Sequence, residues 1–215
     1  MTYHSQKGQD KWVIEDMLPG RRDGFFVDIG ASNGLVLSNT CTLEKELGWT
    51  GICVEPNPQW HTELHANRSC IISHAVINDS FDPVLWMNAD VWGGIVADDT
   101  DNNYIVRGDT IRKMKVETRP SITIAKLLEM HEAPETIDYL SVDVEGAEDR
   151  VMRGFDFEHY KFLCGTFERV TPFLHKLLSN NGYRLVMFDE FESFYTHDSL
   201  GLACIEYVEC EPRGY

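Results

Sequence analysis

An α/β fold on a doubly wound sheet is predicted by three features of this 215-residue chain. Short apolar runs alternate with helix-like stretches through most of its length. Two of those runs end in an acid, Phe25-Phe26-Val27-Asp28 and Gly51-Ile52-Cys53-Val54-Glu55, and the first breaks at once into the glycine-bracketed turn Gly30-Ala31-Ser32-Asn33-Gly34. A strand–helix–strand unit needs about 30 residues to bring its second strand beside the first, which the interval from Phe25 to Glu55 supplies. The expectation is a sheet of seven strands, mostly parallel with the last strand antiparallel, and a β/loop insertion between strands 3 and 4.

Taken in order, residues 9–18 carry apolar positions at helical spacing and stop at Pro19-Gly20. Strand 1 is expected at 24–29, a helix at 35–47 ended by Gly48, strand 2 at 51–55 and a helix at 58–67. Strand 3 is the apolar run 70–77. Residues 79–119 interrupt the alternation with short β-like pieces, paired glycines and an acidic stretch, Asp98 to Asp101. We read them as an inserted lid or substrate-recognition segment within a single domain spanning 1–215, since long loops over an α/β sheet tend to carry specificity. A helix at 121–131, strand 4 at 137–143, a helix opened by Glu145-Gly146-Ala147-Glu148, strand 5 at 162–167 and a helix at 172–180 follow. Residues 183–188 and 202–208 read as the last two strands, with no helix between them, so they are expected to pair antiparallel.

Composition narrows the function. The chain carries 19 basic and 35 acidic residues, a net charge of −16, which repels phosphate backbones and anionic lipid headgroups. Nucleic acid is therefore excluded as a partner, and no stretch is apolar enough for membrane insertion. Arg107, Arg112, Lys113 and Lys115 form the one clear basic cluster. Six cysteines without a C-x-x-C pair, Cys53 and Cys164 inside apolar runs, and an N-terminus without an apolar signal core point to a cytoplasmic protein. Whether it is a monomer or a homodimer is left open.

The turn after strand 1 narrows the cofactor. Asp28-x-Gly30-x-Ser32-x-Gly34 lacks the third glycine of the dinucleotide fingerprint, and Ser32 stands where a glycine would let the backbone approach a pyrophosphate. Glu55, twenty-one residues after Gly34, is placed to accept hydrogen bonds from two ribose hydroxyls. A nucleoside cofactor without phosphates, S-adenosylmethionine, satisfies both features.

At this point the residues resemble a known family. Ser5-Gln6-x-Gly8-Gln9-Asp10, Phe26 to Ala31, Ser38-Asn39-Thr40, Gly48 to Pro58 and Asp138-Tyr139-Leu140-Ser141-Val142-Asp143-Val144-Glu145-Gly146-Ala147-Glu148 are similar, in order, to the motifs of FkbM-family methyltransferases. The resemblance implies a Rossmann-like class I methyltransferase sheet and S-adenosylmethionine-dependent methylation, usually of a hydroxyl on a sugar, glycan or secondary metabolite. It implies cofactor binding by Asp28, Gly30, Ser32 and Gly34 in the first turn, by Glu55 at the ribose, and by Asn78 at the end of strand 3 beside the adenine. Asp143 would lie near the methionine tail and the methyl group, with Asn39 and Gln9 as further candidates for the amino-acid end.

O-methylation needs a group that takes the hydroxyl proton, or a metal. Ligands of open α/β sheets bind at the carboxyl ends of the strands, which puts Asp143, Glu145 and Glu168 at the correct rim as catalytic candidates. Asp143 and Glu168 are also a candidate pair for a divalent cation. Among histidines, His197, in the expected loop between the last strands, is the candidate for the substrate side, while His61, His65 and His74 fall elsewhere. Trp86, Trp92 and Tyr104 in the insertion suit stacking on a sugar face. The competing readings are a methyltransferase-like binding module without turnover and a nicotinamide-dependent oxidoreductase.

Overall fold

The computed structural model describes residues 1–90 and 92–201. Its centre is a seven-stranded sheet built from β1 (Phe25–Ile29), β2 (Thr50–Val54), β3 (Ile71–Ser73), β9 (Thr136–Val142), β10 (Lys161–Glu168), β11 (Tyr183–Asp189) and β12 (Glu192–His197). Their order across the sheet is β11-β12-β10-β9-β1-β2-β3. The pairs β1–β2, β1–β9, β9–β10 and β2–β3 are parallel, and β12 runs antiparallel to both β10 and β11. This is the expected mostly parallel sheet, with the last described strand reversed.

The strands read as near-continuous apolar runs because both faces are covered. Side chains alternate between two cores. Val27, Ile29, Ile52, Val54, Leu140 and Val142 face one layer, packed on α5 (Ile124–Met130), α6 (Glu148–Arg153) and α7 (Pro172–Asn180). Phe26, Cys53, Tyr139 and Cys164 face the other, packed on α1 (Gln9–Trp12) with its π-helical continuation Val13–Met17, on α2 (Cys41–Leu47) and on α3 (His61–Asn67). Caps set several helix starts: Thr171 accepts the N–H of Leu174 at 3.1 Å ahead of Pro172, and Thr123 accepts that of Lys126 at 3.1 Å. Among the described residues no helix is long and apolar enough to cross a membrane.

The insertion forms a separate three-stranded antiparallel sheet, β6-β5-β7, from β5 (Val84–Asn88), β6 (Gly94–Ile95) and β7 (Lys115–Arg119), with a short α4 (Gly108–Ile111) between. Two short strands, β4 (Val76–Ile77) and β8 (Ser121–Ile122), pair in parallel where the insertion leaves and rejoins the main fold.

Four expectations are corrected. The run 70–77 is not one strand: the main sheet keeps only Ile71–Ser73, because His74 turns out and its Nδ1 meets the Glu55 carbonyl at 3.2 Å. The helix expected at 35–47 starts at Cys41, since Leu37 holds a left-handed backbone (φ 58°) and bridges to Ser5 of the N-terminal segment. The helix expected from Glu145 starts at Glu148, because Glu145 and Gly146 are left-handed (φ 57° and 87°). The reversed strand is Glu192–His197, reached by a tight turn through Glu190 (φ 56°), so His197 ends a strand rather than occupying a loop. The strand expected at 202–208 lies outside the described residues.

Candidate active site

The carboxyl ends of β1, β2, β9 and β10 open into a cavity of about 620 Å³, within the usual range for a small-molecule site. The insertion supplies one wall through Trp86, Trp92 and Ile95, and the N-terminal segment adds Gln6 and Gln9.

Glu55 stands just past β2 and is 7% exposed. Its Oε2 accepts the N–H of Ser32 at 2.9 Å, and its Oε1 that of Asn57 at 2.7 Å. Each oxygen keeps a further lone pair for a ligand donor. Burial pushes its pKa up to about 7 against these two hydrogen bonds. Gly30 lets β1 and β9 close at the floor: a Cβ there would fall 1.9 Å from the carbonyl oxygen of Asp143, and its φ is +97°.

Asp28 lies beneath this turn and lines the cavity, but its Oδ2 already accepts the Thr40 hydroxyl at 2.6 Å. Burial raises its pKa, opposed first by the nearby Arg68 guanidinium. Asn39 donates from Nδ2 to the Ser141 hydroxyl at 2.9 Å, leaving its buried Oδ1 without a partner. That atom lies beside the cavity and suits a cationic donor.

At the other end, oxygens of Asp143, Glu145 and Glu168 lie within 4.8 Å of one another. Asp143 is open to the cavity yet surrounded by protein, so it is both reachable and desolvated, and its pKa is raised. Glu168 is 7% exposed; burial first, and then the Asp143, Glu148 and Glu145 carboxylates, push it up to about 10. Asp143 and Glu168 therefore share a proton, as close carboxyl pairs do. Glu145 is held otherwise: Nη1 of Arg107, from the insertion, lies 2.8 Å from its Oε2. Burial raises Glu145, and Arg107 opposes it. Arg169 (φ 51°) reaches Glu168 at 3.3 Å and pairs with Asp101 of the insertion. Guanidinium groups already occupy two of the three carboxylates, so this donor set does not fit a resident divalent cation.

Of the residues singled out in the sequence, Asp28, Gly30, Ser32, Asn39, Glu55, Asp143, Glu145 and Glu168 all line this cavity. Gly34 and Asn78 do not. A Cβ on Gly34 would meet Leu64 and Arg68, at 2.6 and 2.7 Å, so that glycine serves helix packing. Asn78 accepts from Arg150 at 3.3 Å and reaches Ser80; its neighbour Ile77 lines the cavity instead. Among the described residues no histidine lines it. His61 and His74 stack at 3.5 Å behind the Glu55 carbonyl, and His197 packs on Tyr183. Three members of the basic cluster are paired with acids, Arg107 with Glu145 across the site, and Arg112 with Asp109 and Lys115 with Glu117 locally.

Sequence reasoning missed Asn57, Trp60, Asp90, Arg169 and Phe191 as lining residues. Asn57 alone carried a signal, from its place between two prolines directly after Glu55.

A parallel sheet with one reversed strand, and a cavity between an acid after β2 and acids after β9 and β10, define a Rossmann-like methyltransferase. Residues 28–185 match the methyltransferase FkbM domain, well over half of the chain, and the chain belongs to that family. Among solved structures, precorrin-6y C5,15-methyltransferase from Geobacter metallireducens GS-15 is similar at 11% identity, with 90% of each chain covered and a TM-score of 0.44. No curated protein matches.

Proposed function

We propose that this methyltransferase uses S-adenosylmethionine to methylate a hydroxyl of a sugar, glycan or small metabolite. The observation that carries this reading is Glu55, a buried acid lining the cavity and pinned by two backbone N–H groups, whose carboxyl keeps further acceptor capacity. The remaining donors fit the same cofactor. Asn39 Oδ1 is an orphaned buried acceptor for an ammonium group. Among the described residues the lining also holds six acidic side chains, Asp28, Glu55, Asp90, Asp143, Glu145 and Glu168, against one guanidinium, Arg169. That balance repels a dinucleotide pyrophosphate and welcomes a sulfonium, which argues against the oxidoreductase reading.

When bound, the cofactor supplies an activated methyl group. The chain's own residues do the rest. Glu55 and the Ser32 turn orient the ribose, and Asn39 holds the amino-acid end. Asp143, exposed to the cavity, accepts the acceptor's hydroxyl proton, while Glu168 holds the shared proton behind it. Glu145, neutralised by Arg107, ties the insertion to this end of the site. General-base assistance of this kind is worth about 10²–10⁴ in rate. The test is methyl transfer from labelled S-adenosylmethionine to a panel of hydroxylated acceptors. Product at a hydroxyl oxygen supports the reading, and product only at nitrogen or carbon overturns it.

A further inference from the structure

We infer that His65 and His74 form a binding site for a divalent transition cation of the zinc class, behind the segment that carries Glu55. The sequence sets His61 and His65 four residues apart, on one face of α3. His74 follows directly on β3 and turns out of the sheet to meet both. Three imidazoles are thereby brought together. His61 and His74 stack with ring centroids 3.5 Å apart and planes 22° from parallel, and Nε2 of His65 lies 3.2 Å from Nε2 of His74.

The backbone sets the tautomer of His74. Its Nδ1 lies 3.2 Å from the Glu55 carbonyl oxygen, which can only accept. In neutral His74 the proton is therefore on Nδ1, and Nε2 carries a lone pair. Metal-ligating histidines are held in this way, one ring nitrogen donating to a carbonyl while the other faces the ion. Nε2 of His61 meets the same carbonyl at 3.0 Å, and its ring backs that of His74, so the ligand ring is fixed on two sides.

With its proton on Nε2, His65 donates a hydrogen bond to His74. With its proton on Nδ1, two lone pairs converge on one point. Two imidazole nitrogens bound at about 2.0–2.1 Å to one tetrahedral zinc stand about 3.3 Å apart. The observed 3.2 Å needs little adjustment to match that span. Imidazole donors suit zinc, copper and nickel, whereas magnesium and calcium prefer oxygen. His65 is exposed and His74 half-buried, so an ion enters from solvent and water completes its shell. A net charge of −16 favours a cation throughout. Since none of these rings lines the cavity, the ion fastens α3 to the chain after β3 and takes no part in methyl transfer.

The experiment is calorimetric titration of the full chain with zinc chloride, on wild type, His65→Gln and His74→Gln. X-ray absorption of the zinc-loaded wild type identifies the donor atoms. The inference expects affinity to fall by at least about tenfold in each variant, and a first shell of imidazole nitrogen and water oxygen. Zinc should also raise the melting temperature of the wild type and leave that of His65→Gln unmoved. His65 is a surface residue, so its variant keeps the fold even if His74→Gln does not. No zinc uptake by the wild type, or equal affinity in His65→Gln, overturns the inference. Sulfur in the first shell overturns it too, since the ion would then sit at Cys53 and Cys70, whose Sγ atoms are 3.5 Å apart. None of these outcomes bears on the methyl-transfer reading, which is tested separately.

Discussion

The backbone N–H of Ser32 lies 2.9 Å from Oε2 of Glu55, which makes the turn after β1 and the acid after β2 a single unit. Ser32 reaches this position with a left-handed backbone (φ 48°), a conformation uncommon outside glycine. The acid that meets the cofactor's sugar is thus held by the turn that approaches it. Arg68 supports the same unit from below. It is 5% exposed, pairs with Glu44 at 2.6 Å and donates to the Thr40 hydroxyl at 3.0 Å, next to Asp28.

The Glu55 carboxyl makes stability and cofactor binding depend on pH in opposite senses. Its pKa rises from 4.5 unfolded to about 7 folded, so the native state holds a proton that the unfolded state releases. Its contribution is fully present below about 4.5 and is lost as pH rises through about 7, by about 3 kcal/mol. Ribose hydroxyl donors favour the ionised form, so cofactor affinity should fall up to about tenfold per pH unit below 7. Thermal unfolding of the ligand-free protein and calorimetric titration across pH 5 to about 8 check both.

Asp143→Asn and Glu168→Gln should each lower methyl transfer by about 10²–10⁴ while leaving S-adenosylhomocysteine affinity within a few fold. Burial raises the Asp143 carboxyl and the hydrogen bond from Glu168 opposes that rise, so Glu168→Gln should also move the acid limb of the rate profile. Rates against pH for both variants decide it; unchanged rates would mean that neither carboxyl takes the proton.

Gly30→Ala should cost at least about 1–3 kcal/mol, because the residue is left-handed and its Cβ would lie 1.9 Å from a backbone oxygen that has little room to retreat. Chemical denaturation measures it, and a change below about half a kcal/mol would contradict the close approach of β1 and β9.

Arg68→Ala should be worse, about 3–5 kcal/mol, since it leaves Glu44 and Asp28 without their buried counter-charge. Arg68→Met should recover little, because the loss is electrostatic as well as steric. Urea midpoints for the two variants test this.

The sheet was legible because its signals are local. Apolar runs ending in Asp28, Glu55, Asp143 and Glu168 mark strands whose carboxyl ends must share one rim, and the structure brings all four to one cavity. Cys53 and Cys164, each inside one of these runs, are fully buried. What was not legible depends on contacts between distant segments. The left-handed Leu37 is set by a bridge to Ser5, and the break at His74 by a hydrogen bond to Glu55. The strand Glu192–His197 begins with a buried acid that reads as loop, yet Glu192 is 3% exposed and interacts with Gln9 and Thr166. The roles of Arg107 and Arg169 were equally hidden, because each is defined by acids far along the chain.

The most direct test of the account is calorimetric titration of wild type and Glu55→Gln with S-adenosylmethionine and S-adenosylhomocysteine at about pH 8, where the acid is ionised. The account predicts that both ligands bind the wild type and that the variant loses about 10- to 100-fold in affinity for each, as expected for removing a charged acceptor from buried donors. Equal affinities in the two proteins would contradict it, since the cofactor would then be held somewhere other than at Glu55.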